Sequence, residues 1–131
     1  MKTLPFKVLL VEDDPVCRQA ELYLLQEHHY VVEIATTAQE AFELVNSLHV
    51  DLLEKHYDFI LMDIGLPDIN GDYVTEMIRK TEEWTKPVPI IAVTSHHTPE
   101  NKKRFLEKGV TDVISKPLTI EKLNKVLKKY L

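Results

Sequence analysis

Three carboxylates, a hydroxyl and an ammonium close apolar runs in this chain. Glu12 and Asp13 follow Val8-Leu9-Leu10-Val11, Asp63 ends Phe59-Ile60-Leu61-Met62, Thr94 follows Ile90-Ile91-Ala92-Val93, and Lys116 comes soon after Val113-Ile114. Carboxylates gathered at one place repel, and the pKa of at least one must rise. A hard divalent cation removes the conflict, and magnesium binds oxygen while keeping several waters on one or two protein carboxylates. Asp13 and Asp63 are the candidate ligands, with a backbone carbonyl just past Asp63 as a third and Glu12 acting through a bound water. A carboxylate beside such a metal can attack phosphorus and become an aspartyl phosphate. Charge on the transferred group sits on its equatorial oxygens, so catalysis is positioning and neutralisation. The metal covers one oxygen, the Lys116 ammonium suits another, and the Thr94 hydroxyl can donate to the third.

Each residue alone has an ordinary reading: a loop acid or N-cap, a β-branched strand residue, a solvated lysine. Joint placement at strand ends carries the chemical one. It requires an open parallel sheet, whose strand C-termini lie along one edge where α/β proteins bind ligands. Strands are expected at Lys7–Glu12, Tyr30–Ala35, Asp58–Asp63, Ile90–Thr94 and Asp112–Ser115. The first helix starts at an Asp14-Pro15 cap, runs to about His28, and buries Leu22 and Leu25. Thr37-Ala38-Gln39-Glu40 fits a capping box opening the second. An irregular loop with Gly65, Pro67, Asn70 and Gly71 precedes the third, roughly Asp72–Thr81. Thr98-Pro99 opens the fourth, which Gly109 closes, and the fifth starts near Thr119 and buries Ile120, Leu123 and Leu127. Alternating strands and helices give a parallel sheet covered on both faces. The expected class is α/β: a flavodoxin-like (βα)5 doubly wound sheet of strand order 2-1-3-4-5, whose switch point lies between the strands carrying Glu12-Asp13 and Asp63.

With 131 residues, 44% of them hydrophobic and 28% charged, residues 1–131 suit one domain with its own core. Cys17 is the only cysteine, which fits a reducing compartment. No apolar run approaches the 18 or so residues of a membrane span, and Met1–Phe6 has no signal-peptide core. A cytoplasmic location without membrane contact is therefore expected. A formal charge of −5 with no basic block argues against direct nucleic-acid binding. Lys125, Lys128 and Lys129 read as a solvated face of the last helix.

The segments Leu9-Leu10-Val11-Glu12-Asp13-Asp14-Pro15, Leu61 to Gly71, Ile91-Ala92-Val93-Thr94-Ser95 and Ser115-Lys116-Pro117-Leu118 resemble the receiver domain of two-component response regulators. The likeness covers Val8 to Leu127. It implies that Asp63 accepts phosphate from a phosphohistidine with Mg2+, that Glu12 and Asp13 form the acidic pocket, that the Gly65 carbonyl completes the metal site, and that Thr94 and Lys116 contact the phosphoryl group. It also implies a cis Lys116-Pro117 bond, and a histidine kinase or a histidine-phosphotransfer domain as partner. No separate enzyme activity is implied beyond assistance with its own phosphorylation and dephosphorylation. Were the domain part of a hybrid kinase, the parent would be a protein histidine kinase.

Two departures stand out. Receivers that switch output domains usually carry Tyr or Phe three residues before the lysine, and here that residue is Val113. The segment Asp112 to Leu118 is instead similar to receivers within hybrid sensor kinases of the ArcB type, which hand phosphate to a histidine-phosphotransfer domain. The alternative is a stand-alone single-domain response regulator acting by protein–protein binding. The second departure is a longer connection between Ala41 and Tyr57, around Asn46–Glu54, read as a tolerated surface insertion.

The adjacent pairs His28-His29 and His96-His97 lack metal-site spacing and suit surface and helix ends, with His96 at the mouth of the site. Trp84 reads as a packing residue. Val16, Cys17 and Ala20 either offer a small apolar patch to a partner helix or face the core, and periodicity does not decide. A pseudo-receiver would need a damaged pocket, and none of Glu12, Asp13, Asp63, Thr94 and Lys116 is missing. A haloacid-dehalogenase-type phosphatase needs a second acid two residues past the nucleophile, where this chain has Gly65, and flavodoxin chemistry would set Glu12-Asp13-Asp14 against a flavin phosphate.

Overall fold

The computed structural model describes residues 5–47, 57–81 and 85–131. Strand β1 is Lys7–Val11, followed by helix α1 (Pro15–Glu27), β2 (Val31–Ala35), α2 (Ala38–Ser47), β3 (Phe59–Asp63), α3 (Gly71–Arg79), β4 (Ile90–Thr94), α4 (Pro99–Glu107), β5 (Asp112–Ser115) and α5 (Ile120–Tyr130). All pairings are parallel in the order β2-β1-β3-β4-β5, as the alternating pattern demands. Register carries the site. Val11 pairs with Met62 and Asp63 with Val93, so Glu12, Asp63 and Thr94 emerge side by side along one edge.

Alternate strand residues face opposite helical layers. Leu9, Val11, Ile60 and Met62 pack with Ala38, Ala41 and Val45 of α2 and Val74 and Ile78 of α3. Val8, Leu10, Leu61 and Ile91 pack with Leu25 of α1 and Leu123, Val126 and Leu127 of α5. Phe105 of α4 meets Ala92, Val110 and Val113. Each fully buried aliphatic or aromatic side chain contributes about 1.5–3 kcal/mol of transfer free energy, so this two-faced burial holds the strand ends in register.

Helix starts follow local chemistry. Asp14 Oδ2 accepts from Cys17 N at 2.9 Å and Pro15 supplies the first turn of α1; Thr98 and Thr119 cap α4 and α5 in the same way, accepting from Asn101 N and Lys122 N. The α2 cap differs from the expected box. Glu40 N does donate to Thr37 Oγ1, but the Glu40 carboxylate reaches back to Thr36 N rather than to Thr37 N. Ala38 N and Gln39 N instead donate to Asp68, thirty residues away in the β3–α3 loop. Within α1 and α5, Leu22 and Ile120 are only half-buried, while Glu21 and Val126 take interior positions. His29 (φ 67°) closes α1 and Gly109 (φ 103°) closes α4, both left-handed as such ends require. The segment 48–56, which holds most of the expected insertion, and Trp84 lie outside the described residues.

One half-buried cation organises the far side of the molecule. The Arg79 guanidinium at the end of α3 donates to Gly109 O at 2.8 and 3.0 Å, to Thr85 O at 2.8 Å, to Lys86 O and Val88 O, and to Thr111 Oγ1 at 3.1 Å. It ties the α3–β4 and α4–β5 loops together. Among the described residues it has no carboxylate partner, and burial lowers its pKa.

Candidate functional site

The strand ends converge on an open cavity of about 460 Å³ lined by Glu12, Asp13, Asp63, Thr94, His96 and Lys116, together with Gly65 and Asn70. Lys116 Nζ lies 3.0 Å from Glu12 Oε1 and 3.2 Å from Asp63 Oδ1. One oxygen from each of Glu12, Asp13 and Asp63 falls within 4.8 Å of the others. Every candidate named from the sequence therefore meets at one place.

Each side chain is held by its element. Glu12 is buried and its Oε2 accepts from Asp14 N at 3.2 Å, while Arg18 Nη1 donates to Asp13 O at 3.0 Å, so α1 braces the acidic turn. Asp63 is only 6% exposed and accepts from Gly65 N at 3.3 Å. Its backbone is pinned by a close approach: a Cβ on Gly71 would sit 2.2 Å from Asp63 O, so only glycine lets α3 begin there. Thr94 Oγ1 accepts from His96 N at 3.0 Å and still has its proton to donate. Thr94 O accepts from Lys116 N at 2.9 Å, and Lys122 Nζ holds Ser115 O and Pro117 O at 3.0 Å, fixing the loop that aims Lys116. The Lys116-Pro117 bond is cis, as the resemblance implied.

The charges do not balance. Burial and the neighbouring Glu12 raise the Asp63 pKa; burial and Asp63 raise that of Asp13. Burial opposes the charge of Lys116, yet hydrogen bonds and attraction from Glu12 and Asp63 outweigh it and raise its pKa. A fourth acid stands behind them. Glu21 of α1 is 6% exposed, and burial, then the Glu12 charge, raise its pKa to about 8. Sequence reasoning missed it, although an acid four residues before the core residue Leu25 shares that buried helical face. One ammonium thus serves four carboxyl groups. This donor set, all oxygen and short of positive charge, fits a hard divalent cation.

The apolar patch on α1 is resolved. Val16 is 77% exposed and Ala20 is exposed, so they face outward beside the cavity. His28 and His29 lie exposed at the end of α1, and Val113 is buried. Among the described residues, no helix is long and apolar enough to cross a membrane.

Comparison with known proteins agrees with this geometry. The family model described as response regulator receiver domain matches residues 8–128. Hybrid signal transduction histidine kinase M of Dictyostelium discoideum is 36% identical over 124 residues, covering 93% of this chain and 5% of that protein. The transcription factor SKN7 of Candida albicans is 34% identical over 126 residues, covering 96% of this chain and 21% of that protein. The chain thus spans about a fifth or less of the curated relatives it matches. Among solved structures, the receiver domain of sensor histidine kinase PA1611 from Pseudomonas aeruginosa, with magnesium coordinated in its active-site cleft, superposes with a TM-score of 0.79 at 30% identity, covering 97% of this chain and 98% of that one. Chemotaxis response regulator CheY4 of Vibrio cholerae gives 0.81 at 29% identity, covering 98% of this chain and all of that one. Convergent strand ends, an acid cluster beside a lysine and a family match across nearly the whole sequence lead to one assignment: the chain belongs to the response regulator receiver domain family.

Proposed function

We propose that this chain, read as a single receiver unit over residues 1–131, is a phosphoacceptor in a two-component phosphorelay. One observation carries the reading: Asp63 Oδ1 lies 3.2 Å from Lys116 Nζ inside a cluster of three acidic side chains that calls for a cation. A carboxylate oxygen of Asp63 attacks the phosphorus of a phosphohistidine whose other ring nitrogen is protonated; the O–P bond forms as the P–N bond breaks, and neutral imidazole leaves with that proton. Asp13, Asp63 and the Gly65 carbonyl would hold Mg2+, with Glu12 assisting through a bound water. The ion, when bound, neutralises phosphoryl oxygen charge. Lys116 supplies a second counter-charge, and Thr94 donates its hydroxyl proton to a remaining oxygen.

The donor is a histidine kinase or a histidine-phosphotransfer domain. Its helix fits a groove of about 410 Å³ beside the site, bordered by Val16, Cys17 and Ala20 of α1 and by Pro117 and Leu118. Val113 in place of an aromatic residue, and similarity to hybrid kinases, favour a receiver within a hybrid sensor histidine kinase that passes the phosphoryl group onward. Similarity to CheY4 supports the second reading, a stand-alone response regulator acting by protein–protein binding.

The test is to incubate the chain with acetyl phosphate and magnesium and measure its intact mass. A phosphate-sized gain that Asp63→Asn abolishes is expected; no gain at any magnesium concentration overturns the proposal. Transfer rates to a panel of histidine-phosphotransfer domains then separate relay from stand-alone behaviour.

A further inference from the structure

Three acidic side chains meet at the site, and their aims are set unequally. Glu12 accepts from Asp14 N at 3.2 Å and Asp63 from Gly65 N at 3.3 Å, and both face Lys116 Nζ, at 3.0 and 3.2 Å. Asp13 has no such support. Among the described residues its carboxyl group has no backbone donor beyond its own amide, and its side-chain neighbour is Asp63, another acid. It is also the more open of the three. The direction of its side chain is therefore set by its backbone, in a turn between β1 and α1 that belongs to neither.

Arg18 holds that turn. Its Nη1 donates to Asp13 O at 3.0 Å and to Glu12 O at 3.4 Å. The side chain starts from the fourth residue of α1, where Arg18 N donates to Asp14 O at 2.8 Å. A cation in the first turn of a helix stands at the disfavoured end of the dipole. Nor does this one pair with an acid: among the described residues no carboxylate lies within ion-pair distance of it. On a carboxylate of the cluster, a guanidinium would compete with a metal ion for the same oxygens. On the carbonyls it fixes where the acid starts and leaves the carboxylate to the ion.

We propose that Arg18 is a positioning residue for the metal site: by gripping the Glu12 and Asp13 carbonyls it aims the Asp13 carboxylate at Mg2+ without competing for it. The inference rests on the site reading above, in which Asp13 is a ligand. Mg2+ demands near-ideal octahedral geometry, so a turn free to shift presents this ligand poorly. A role through charge alone would have the opposite sign. Removing a positive charge near a cation site lowers repulsion and tightens binding, whereas removing a positioning bond weakens it.

Isothermal titration calorimetry of magnesium chloride into the full chain tests this. Mg2+ binding by the wild type is expected, weakened roughly tenfold in Arg18→Met, the usual scale for losing a group that orients a ligand. Arg18→Lys, which keeps the charge and loses the planar fork, should weaken it as well. Phosphorylation by acetyl phosphate that Arg18→Met loses at low Mg2+ should return as Mg2+ is raised, which separates affinity from rate. Urea unfolding identifies folded variants, and Arg18→Lys decides alone if Arg18→Met does not fold. Weakened Mg2+ binding in the variants, with no phosphorylation of Asp63 in the wild type, would sink the phosphoacceptor reading and leave this one standing. An unchanged or tighter affinity in a folded variant, a phosphorylation loss that Mg2+ does not restore, or no Mg2+ binding by the wild type would each overturn it.

Discussion

Two partly buried charge centres, one at each end of the central strands, are built on opposite terms. At Arg79 a single guanidinium meets four backbone carbonyls and a threonine hydroxyl, and the chain alone completes its shell. At Asp63 a single ammonium meets an excess of acids, and the chain leaves the shell incomplete. The first arrangement is a staple. The second is an appetite for a cation and for a group that needs one. A buried charge that its own protein satisfies marks structure, and one left unsatisfied marks chemistry.

The sharpest way to break that contrast is to remove each cation in turn. Lys116→Met should slow phosphorylation by acetyl phosphate about hundredfold, the cost of deleting one preorganised charge from a transition-state site, with little loss of thermal stability. Arg79→Met should do the reverse. It removes one donor from several part-buried carbonyls, a loss of roughly 2 kcal/mol, read as a lower urea midpoint, while the phosphorylation rate of the folded protein stays within about twofold. If the two variants behave alike, the distinction fails. Thr94→Ala should slow phosphorylation about tenfold, one neutral hydrogen bond to a phosphoryl oxygen, measured by the same mass assay.

The smallest effect concerns Glu21. Its folded pKa lies near 8 against an ordinary 4.5, so across that window the unfolded chain releases a proton that the folded chain keeps. Stability must then fall as pH rises from about 4.5 to about 8. In chelator-containing buffer the melting temperature of the wild type should drop over that range, and Glu21→Gln should flatten the slope. Equal slopes would show that Glu21 ionises normally.

Strand ends and order were legible because buried parallel strands read as apolar runs, and the chemistry-bearing residues sit where those runs stop. Asp63, Thr94 and Lys116 needed no tertiary information to be noticed. Glu21 did: an acid on an apolar helical face looks like an interruption until Glu12 and Lys116 are placed behind it. The α2 cap was half readable. Thr37 and Glu40 are local, but Asp68 arrives from thirty residues away, and no local pattern announces it. Val16 and Ala20 pointed outward for a similar reason. Helix periodicity fixes which residues share a face, and only packing against the sheet decides which face is buried.

Gly71 exposes the molecule to a kind of damage that a survey of its acids and lysine would overlook. With a Cβ there at 2.2 Å from Asp63 O, even alanine must displace either the start of α3 or the peptide that carries the proposed phosphoacceptor. Every reactive group would remain in the sequence, yet the aspartate would no longer sit where its neighbours converge. One hydrogen atom in place of a methyl group is as much a condition of reactivity here as any charge.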